Sequence, residues 1–185
     1  MSLIVLETQD FVAAARMLRL WVAGPLEAAT SNLLNGLAAT AGMAGCDEGG
    51  LAWATTYDRA AQAAVAASVD AVNSVDKLAA MFAQTARNYA AADAASTANS
   101  RQLVDDALAT LPHDAQLYFA PTCLTGSAAG SSGGGPPGWD LIAHLVGYVW
   151  PNGHQDRLRS AAAAWRSSAQ AVEHAAGNVV SAAHL

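Results

Sequence analysis

Residues 41–50 read Ala-Gly-Met-Ala-Gly-Cys-Asp-Glu-Gly-Gly, and on each side of them lies a long alanine-rich stretch with apolar side chains every three or four positions. A spacing of three and four is the repeat of one helical face. Four glycines in ten residues supply a tight reversal. A short connection between two long helices makes them antiparallel neighbours. This arrangement constrains the fold more than any other feature of the 185 residues.

Before the turn the stripe is Phe11, Ala15, Leu18, Val22, Leu26, Ala29, Leu33 and Leu37, with Thr8 or Asp10 as the expected N-cap. Gly24-Pro25 interrupts it and predicts a kink, because proline lacks the backbone donor and crowds the preceding turn. Asp47 is placed to cap the second helix, and Asp47 and Glu48 suit its positive end. Within the turn, Met43, Gly45, Gly49 and Gly50 are the positions expected to set its geometry. After it, Ala54, Tyr57, Ala61, Ala64, Ser68, Val72, Val75, Leu78, Phe82, Ala86 and Tyr89 follow a period near 3.5, the mark of helices that coil gently on one another. Asp93 is the next position on that stripe.

Beyond residue 96 the pattern weakens, resumes at Leu103 to Leu111, and meets Pro112. A stretch rich in Gly, Ser and Pro up to Gly138 has the composition of a flexible tether. An apolar segment, 139–150, and a last helix from about His154 follow, with Leu158, Ala162, Trp165, Ala169 and Val172 as its stripe. Asn152, in Trp150-Pro-Asn-Gly153, is placed to cap that helix. Trp139, Trp150 and Trp165 are expected to form an aromatic cluster. The expectation is therefore an all-α chain: a helical hairpin with extension over 1–111, a linker over 112–138, and two shorter helices over 139–185.

Composition narrows the function classes. About a quarter of the residues are alanine, while Leu, Ile, Val and Phe together supply only about a fifth. Alanine favours helix but buries little area, so such helices call for length or a partner. Leu18, Val22, Leu33, Leu37, Val65, Val72, Leu78 and Phe82 are the expected core or partner seams. A net charge of −6 with no basic stripe argues against nucleic acid and against an anionic lipid surface. The first residues lack the positive region of a secretory signal, and 139–150 is too short to span a bilayer. The five histidines are scattered without metal-ligand spacing, so no metal or cofactor is expected. No nucleophile motif, phosphate loop or polar carboxylate pair is present, so no catalytic residue is assigned and no enzyme is expected. Cys46 and Cys123 leave a disulfide and two free thiols equally open.

Two resemblances add to this. A helix, a glycine-containing turn, a second helix and then Tyr-x-x-x-acid (here Tyr89 and Asp93) is the layout of the WXG, or Esx, family of small proteins exported by type VII secretion. Methionine stands at 43 where that family carries tryptophan. Gly42-Met-Ala-Gly45, Tyr57-Asp58, Asn88-Tyr89, Gly138-Trp139 and Trp150-Pro-Asn-Gly153 through Leu158-Arg159 to Ala164-Trp165-Arg166-Ser167 resemble the N-terminal helical regions of mycobacterial channel-forming toxins exported by that route. The resemblance implies a composite export signal. Tyr89 and Asp93 would be read by the secretion machinery, and a small Esx-type hairpin, or self-association, would complete a four-helix bundle and supply the tryptophan. It implies a secreted or envelope-associated protein acting by targeting and pairing. The alternative is a self-assembling scaffold or membrane channel component, with membrane contact through 139–150.

Overall fold

The computed structural model describes residues 7–96, 109, 114–119, 126–130, 137–146 and 152–182. Among them the regular structure is helical: α1 (Thr8–Met17), a π-helical turn (Leu18–Ala23), α2 (Gly24–Ala38), α3 (Glu48–Ser96), α4 (Trp139–Val146) and α5 (Gln155–Ala182). The stretch 103–111 and Trp150 lie outside the described residues, apart from Ala109.

The ends and irregularities of these helices follow from local chemistry. Glu7, not Thr8 or Asp10, is the N-cap of α1, and Asp10 sits in the first turn, where its carboxylate accepts from the Glu7 N–H at 3.1 Å. The kink expected at Gly24-Pro25 takes the form of the π-helical turn, in which the Gly24 N–H reaches back to Arg19 O. Proline at 25 removes the donor that an α-helix would aim at Trp21 O. That carbonyl instead accepts from Asn178 Nδ2 on α5 at 2.9 Å. Asp47 caps α3 as expected from sequence, its Oδ1 accepting from the Gly50 N–H at 2.9 Å.

The chain divides into two compact units that interleave along the sequence: Met1–Ala28 with Val69–Phe119 and Ala171–Leu185, and Ala29–Ser68 with Ala120–Gln170. The stretch read as a tether contributes ordered segments to both units. Residues 114–119 serve the first, where Asn73 grips Tyr118 by accepting from its N–H at 2.7 Å and donating to its carbonyl at 3.2 Å. Residues 126–130 serve the second. Composition predicts freedom only where no backbone partner is offered, and here partners are offered.

In the first unit α1 and the π-helical turn run antiparallel to the later part of α3. Val12 and Ala15 pack with Ala83 and Ala86, and Leu18, Val22 and Leu26 with Val72, Ala79 and, from α5, Ala175. Arg19 and Asp76 form a partly buried ion pair at 2.9 Å. In the second unit Leu33, Leu37, Met43, Ala44, Ala54, Val65, Ala128 and Ala161 form the core. There α5 lies antiparallel to α2, with the Arg157 guanidinium on Ala41 O at 2.7 Å.

Two seams differ from expectation by about one position around the helix. On α3 the buried side is Ala54, Ala61, Val65, Val69, Val72, Asp76, Ala79, Ala83 and Ala86. Leu78 is 42 % exposed and Phe82 sits at the margin. An acid at 76 argued against that face in sequence, and pairing with Arg19 overrides the argument. On α5 the buried residues are Ala161, Ser168 and Ala175, not Leu158 or Val172. Small side chains allow the backbones to approach: a Cβ built on Gly36 would lie 3.0 Å from Ala164 Cβ.

Candidate export and interaction sites

The turn is closed by backbone from a distant stretch. Gly42 and Gly45 have φ of +77° and +78°, the left-handed region that glycine enters without strain. Their conformation aims alternate peptide groups at residues 127–130. The Gly42 N–H donates to Ser127 O, the Ala44 N–H to Ala128 O and the Gly130 N–H to Gly45 O, each at 2.9 Å. His154 N–H donates to Met43 O at 2.8 Å. Asn152 was expected to cap the last helix. Its side chain instead clamps the turn: Oδ1 accepts from the Cys46 N–H at 2.8 Å, and Nδ2 donates to Cys46 Sγ at 3.1 Å. Met43 points inward and is 2 % exposed. Met43 therefore fills this chain's own core.

Beside the turn, Asp58 accepts from the Ser127 hydroxyl and from the Ala128 N–H. Tyr57 stacks on Trp53 with ring centroids 4.8 Å apart, and Trp165 Nε1 donates to Tyr57 Oη at 2.8 Å. Burial pushes the Tyr57 phenol above its ordinary range. The hydrogen bond donated by Trp165 works against that shift, and the charge of Asp58 adds to it. The aromatic grouping around Trp165 is thus with Trp53 and Tyr57. Trp139 is half-buried at the start of α4. At Asp47 the backbone donor of Gly50, above all, holds the carboxyl below its ordinary value of 3.8.

Tyr89 and Asp93 stand near the end of α3. The Tyr89 ring stacks on Phe11 with centroids 5.4 Å apart, and Phe11 also meets Phe82 at 6.2 Å. Yet Tyr89 remains 46 % exposed, and Asp93 is exposed one turn further on. The ring is held in place while its edge faces water. Of the expected seam residues, Leu18, Val22, Leu33, Leu37, Val65 and Val72 are buried. Gly49 and Gly50 lie in the first turn of α3.

The outward side of α3 was not singled out in sequence. Trp53, Thr56, Ala60, Ala63, Ala67, Ala71, Ser74, Leu78, Met81, Asn88 and Ala92 are all exposed and none is charged. An exposed helical face ordinarily carries charge. The signal was present as a second stripe, obscured because alanine marks buried and exposed faces alike. Among the described residues no three His, Cys, Asp or Glu side chains gather as a metal site requires, and no helix is long and apolar enough to cross a membrane.

No family model matches the chain, and no solved structure matches it. Curated relatives do. Over 143 residues, 77 % of this chain, it is 38 % identical to the outer membrane channel protein CpnT of Mycobacterium bovis (strain BCG / Pasteur 1173P2) and of Mycobacterium tuberculosis (strain ATCC 25618 / H37Rv). Over 156 residues, 83 % of this chain, it is 35 % identical to a Mycobacterium avium (strain 104) protein named as a candidate NAD(+)–arginine ADP-ribosyltransferase, Mav. The chain spans less than a fifth of the length of these relatives, 16 % and 18 %. The second relative corrects one expectation. No enzyme was expected, yet the chain is similar to a protein named for an enzymatic activity.

Proposed function

We propose, on the basis of its relationship to CpnT, that this chain serves as a type VII secretion targeting and helix-pairing module of a channel- or toxin-related mycobacterial protein. The observation that carries the reading is the end of α3. A tyrosine clamped on Phe11 but half open to water, with an exposed acid one turn on, presents a rigid two-point recognition edge. Pre-organisation of that kind lowers the ordering cost of being read.

The comparisons support the same reading in another way. Matches of 143 and 156 residues within a chain of 185 share most of it. One relative is named a channel and the other an ADP-ribosyltransferase. A segment common to both suits a task common to both, and export is such a task. The pairing half of the proposal rests on the uncharged outer face of α3, which a second helical chain would cover. The Esx-type hairpin implied by the family resemblance is one occupant of that face.

The test is export from a strain that carries the native secretion system. Tyr89→Ala and Asp93→Ala are expected to vanish from the culture filtrate and envelope fractions and to accumulate inside the cell. Losing the Phe11 stack should cost the Tyr89 variant about 1 kcal/mol of stability, so the Asp93 variant is the cleaner probe. Normal export of both would sink the address-label reading.

A further inference from the structure

We propose that Asn152 is a self-modifying site: its carboxamide is set by sequence to cyclise onto the Gly153 nitrogen and lose ammonia, and the folded turn holds that reaction in check. The product is a covalent record that the turn has been open. This goes beyond the export and pairing reading and does not depend on it.

The sequence supplies the reactivity. Asn-Gly occurs twice, at 35–36 and at 152–153. Glycine has no Cβ to shield its backbone nitrogen and turns freely about φ and ψ, so that nitrogen reaches the asparagine side chain more readily than beside a bulkier residue. In the reaction the Gly153 nitrogen, having given its proton to hydroxide, attacks Cγ of Asn152. The N–Cγ bond forms, the Cγ–Nδ2 bond breaks, and the amide leaves as ammonia after taking a proton from water, which restores the hydroxide. Water then opens the cyclic imide at either of its carbonyls, giving aspartate or isoaspartate. The net change is water consumed and ammonia released.

The fold supplies the restraint. Ring closure requires the Asn152 side chain and the Asn152–Gly153 peptide to turn toward each other, and both are pinned. Oδ1 accepts from the Cys46 N–H at 2.8 Å, and Nδ2 donates to Cys46 Sγ at 3.1 Å. Oδ1 also lies hard against Gly45, where a Cβ would collide with it. On the far side of the peptide, the His154 N–H is held on Met43 O at 2.8 Å. The Gly153 backbone lies so close to the turn that a Cβ there would be 3.3 Å from Ala44 O and 3.4 Å from Met43 O. All of these residues belong to the second compact unit. Rotation of the carboxamide therefore waits on opening of the turn. Asn35 and Gly36 are restrained differently, by the regular backbone of α2. Neither product restores the clamp. Aspartate keeps an acceptor for the Cys46 N–H but has no donor for Sγ. Isoaspartate carries the chain through Cβ and Cγ, and the added atom breaks the match to Cys46 on one side and Met43 on the other.

The experiment holds the purified full chain in mildly alkaline buffer, native or unfolded in urea. Samples are digested at acidic pH and both Asn-Gly pairs are followed by mass spectrometry, with circular dichroism as the control for folding. Asn152 should convert in urea, and at least about tenfold more slowly in the folded chain. Cys46→Ala removes the Sγ contact alone and should speed the folded-state reaction about threefold. Gly45→Ala removes the whole clamp and should bring Asn152 close to its rate in urea, while Asn35 stays slow. If Asn35 accelerates as well, that variant has unfolded and the Cys46→Ala rate decides. Equal conversion of Asn152 in the native and unfolded wild type would overturn the restraint, and no conversion in urea would overturn the reactivity. A folded-state rate indifferent to Cys46→Ala and Gly45→Ala would overturn the assignment to the clamp.

Discussion

Gly45 carries two demands at once, and a single methyl group separates them from ordinary turn chemistry. Its φ of +78° is unfavourable for any residue with a Cβ. A Cβ there would also collide with the Asn152 side chain and lie 2.8 Å from the Asn152 carbonyl carbon. Gly45→Ala is therefore expected to lose both the backbone preference and the Asn152 clamp. Together these amount to about 3 kcal/mol, or roughly a 10 °C fall in Tm by calorimetry. Gly42 shares the positive φ, but its Cβ would be 3.3 Å from Gly130 Cα, so Gly42→Ala should cost less. An equal loss at both positions would show that Asn152 adds nothing. The glycines were legible in sequence as turn formers. The role of Asn152 was not, because a residue just before a helix reads locally as a cap, and only the packed chain shows that its side chain reaches Cys46, 106 residues away in sequence.

Among the elements, α3 is the most exposed to its own ends, being 49 residues long and closed at its start by one carboxylate. Asp47 is held below its ordinary value by the Gly50 N–H. A depressed acid contributes stability that is fully present above the unfolded value of 3.8 and is lost as pH falls through the folded one. Asp47→Ala should therefore lower Tm at neutral pH, and the gap to wild type should close as pH falls below about 4. Asp47→Asn keeps an acceptor oxygen at every pH and should show no such closing. A gap that persists unchanged at pH 2 would remove the carboxylate from the account. At this scale the helices were legible from periodicity, but not their rotation. The reading followed the larger apolar side chains, Leu78 on α3 and Leu158 and Val172 on α5. The structure buries Asp76, Ala79, Ala161 and Ser168 instead. Ion pairing and close approach decide between faces that have similar apolar content.

For the molecule as a whole, what matters most is that α5 packs back on the hairpin. Its docking depends on small residues. A side chain at Gly36 would press on Ala164, whereas a Cβ at Gly177 meets nothing within 4 Å. Gly36→Val should cost about 2 kcal/mol by overpacking and expose the start of α5 to limited proteolysis. Gly177→Ala should be neutral or slightly stabilising. Equal behaviour of the two variants would show that the close approach of Gly36 to Ala164 does not hold α5. Self-docking also changes the case for a partner. The hairpin's under-filled alanine seams are met in part from within the chain, by Ala161 and Ala175 of α5.

Sequence alone determined the all-α class, the position of the reversal and the cap at Asp47. These are local: periodicity, glycine freedom and a side chain reaching three residues ahead do not depend on distant parts of the chain. Tertiary structure decided which face of each long helix turns inward, because alanine makes opposite faces look alike until ion pairs such as Arg19–Asp76 and close contacts such as Gly36–Ala164 choose between them. It also decided that a Gly- and Ser-rich stretch is partly docked, since backbone hydrogen bonds to the turn at Gly42 and Ala44 exist only once the hairpin has folded.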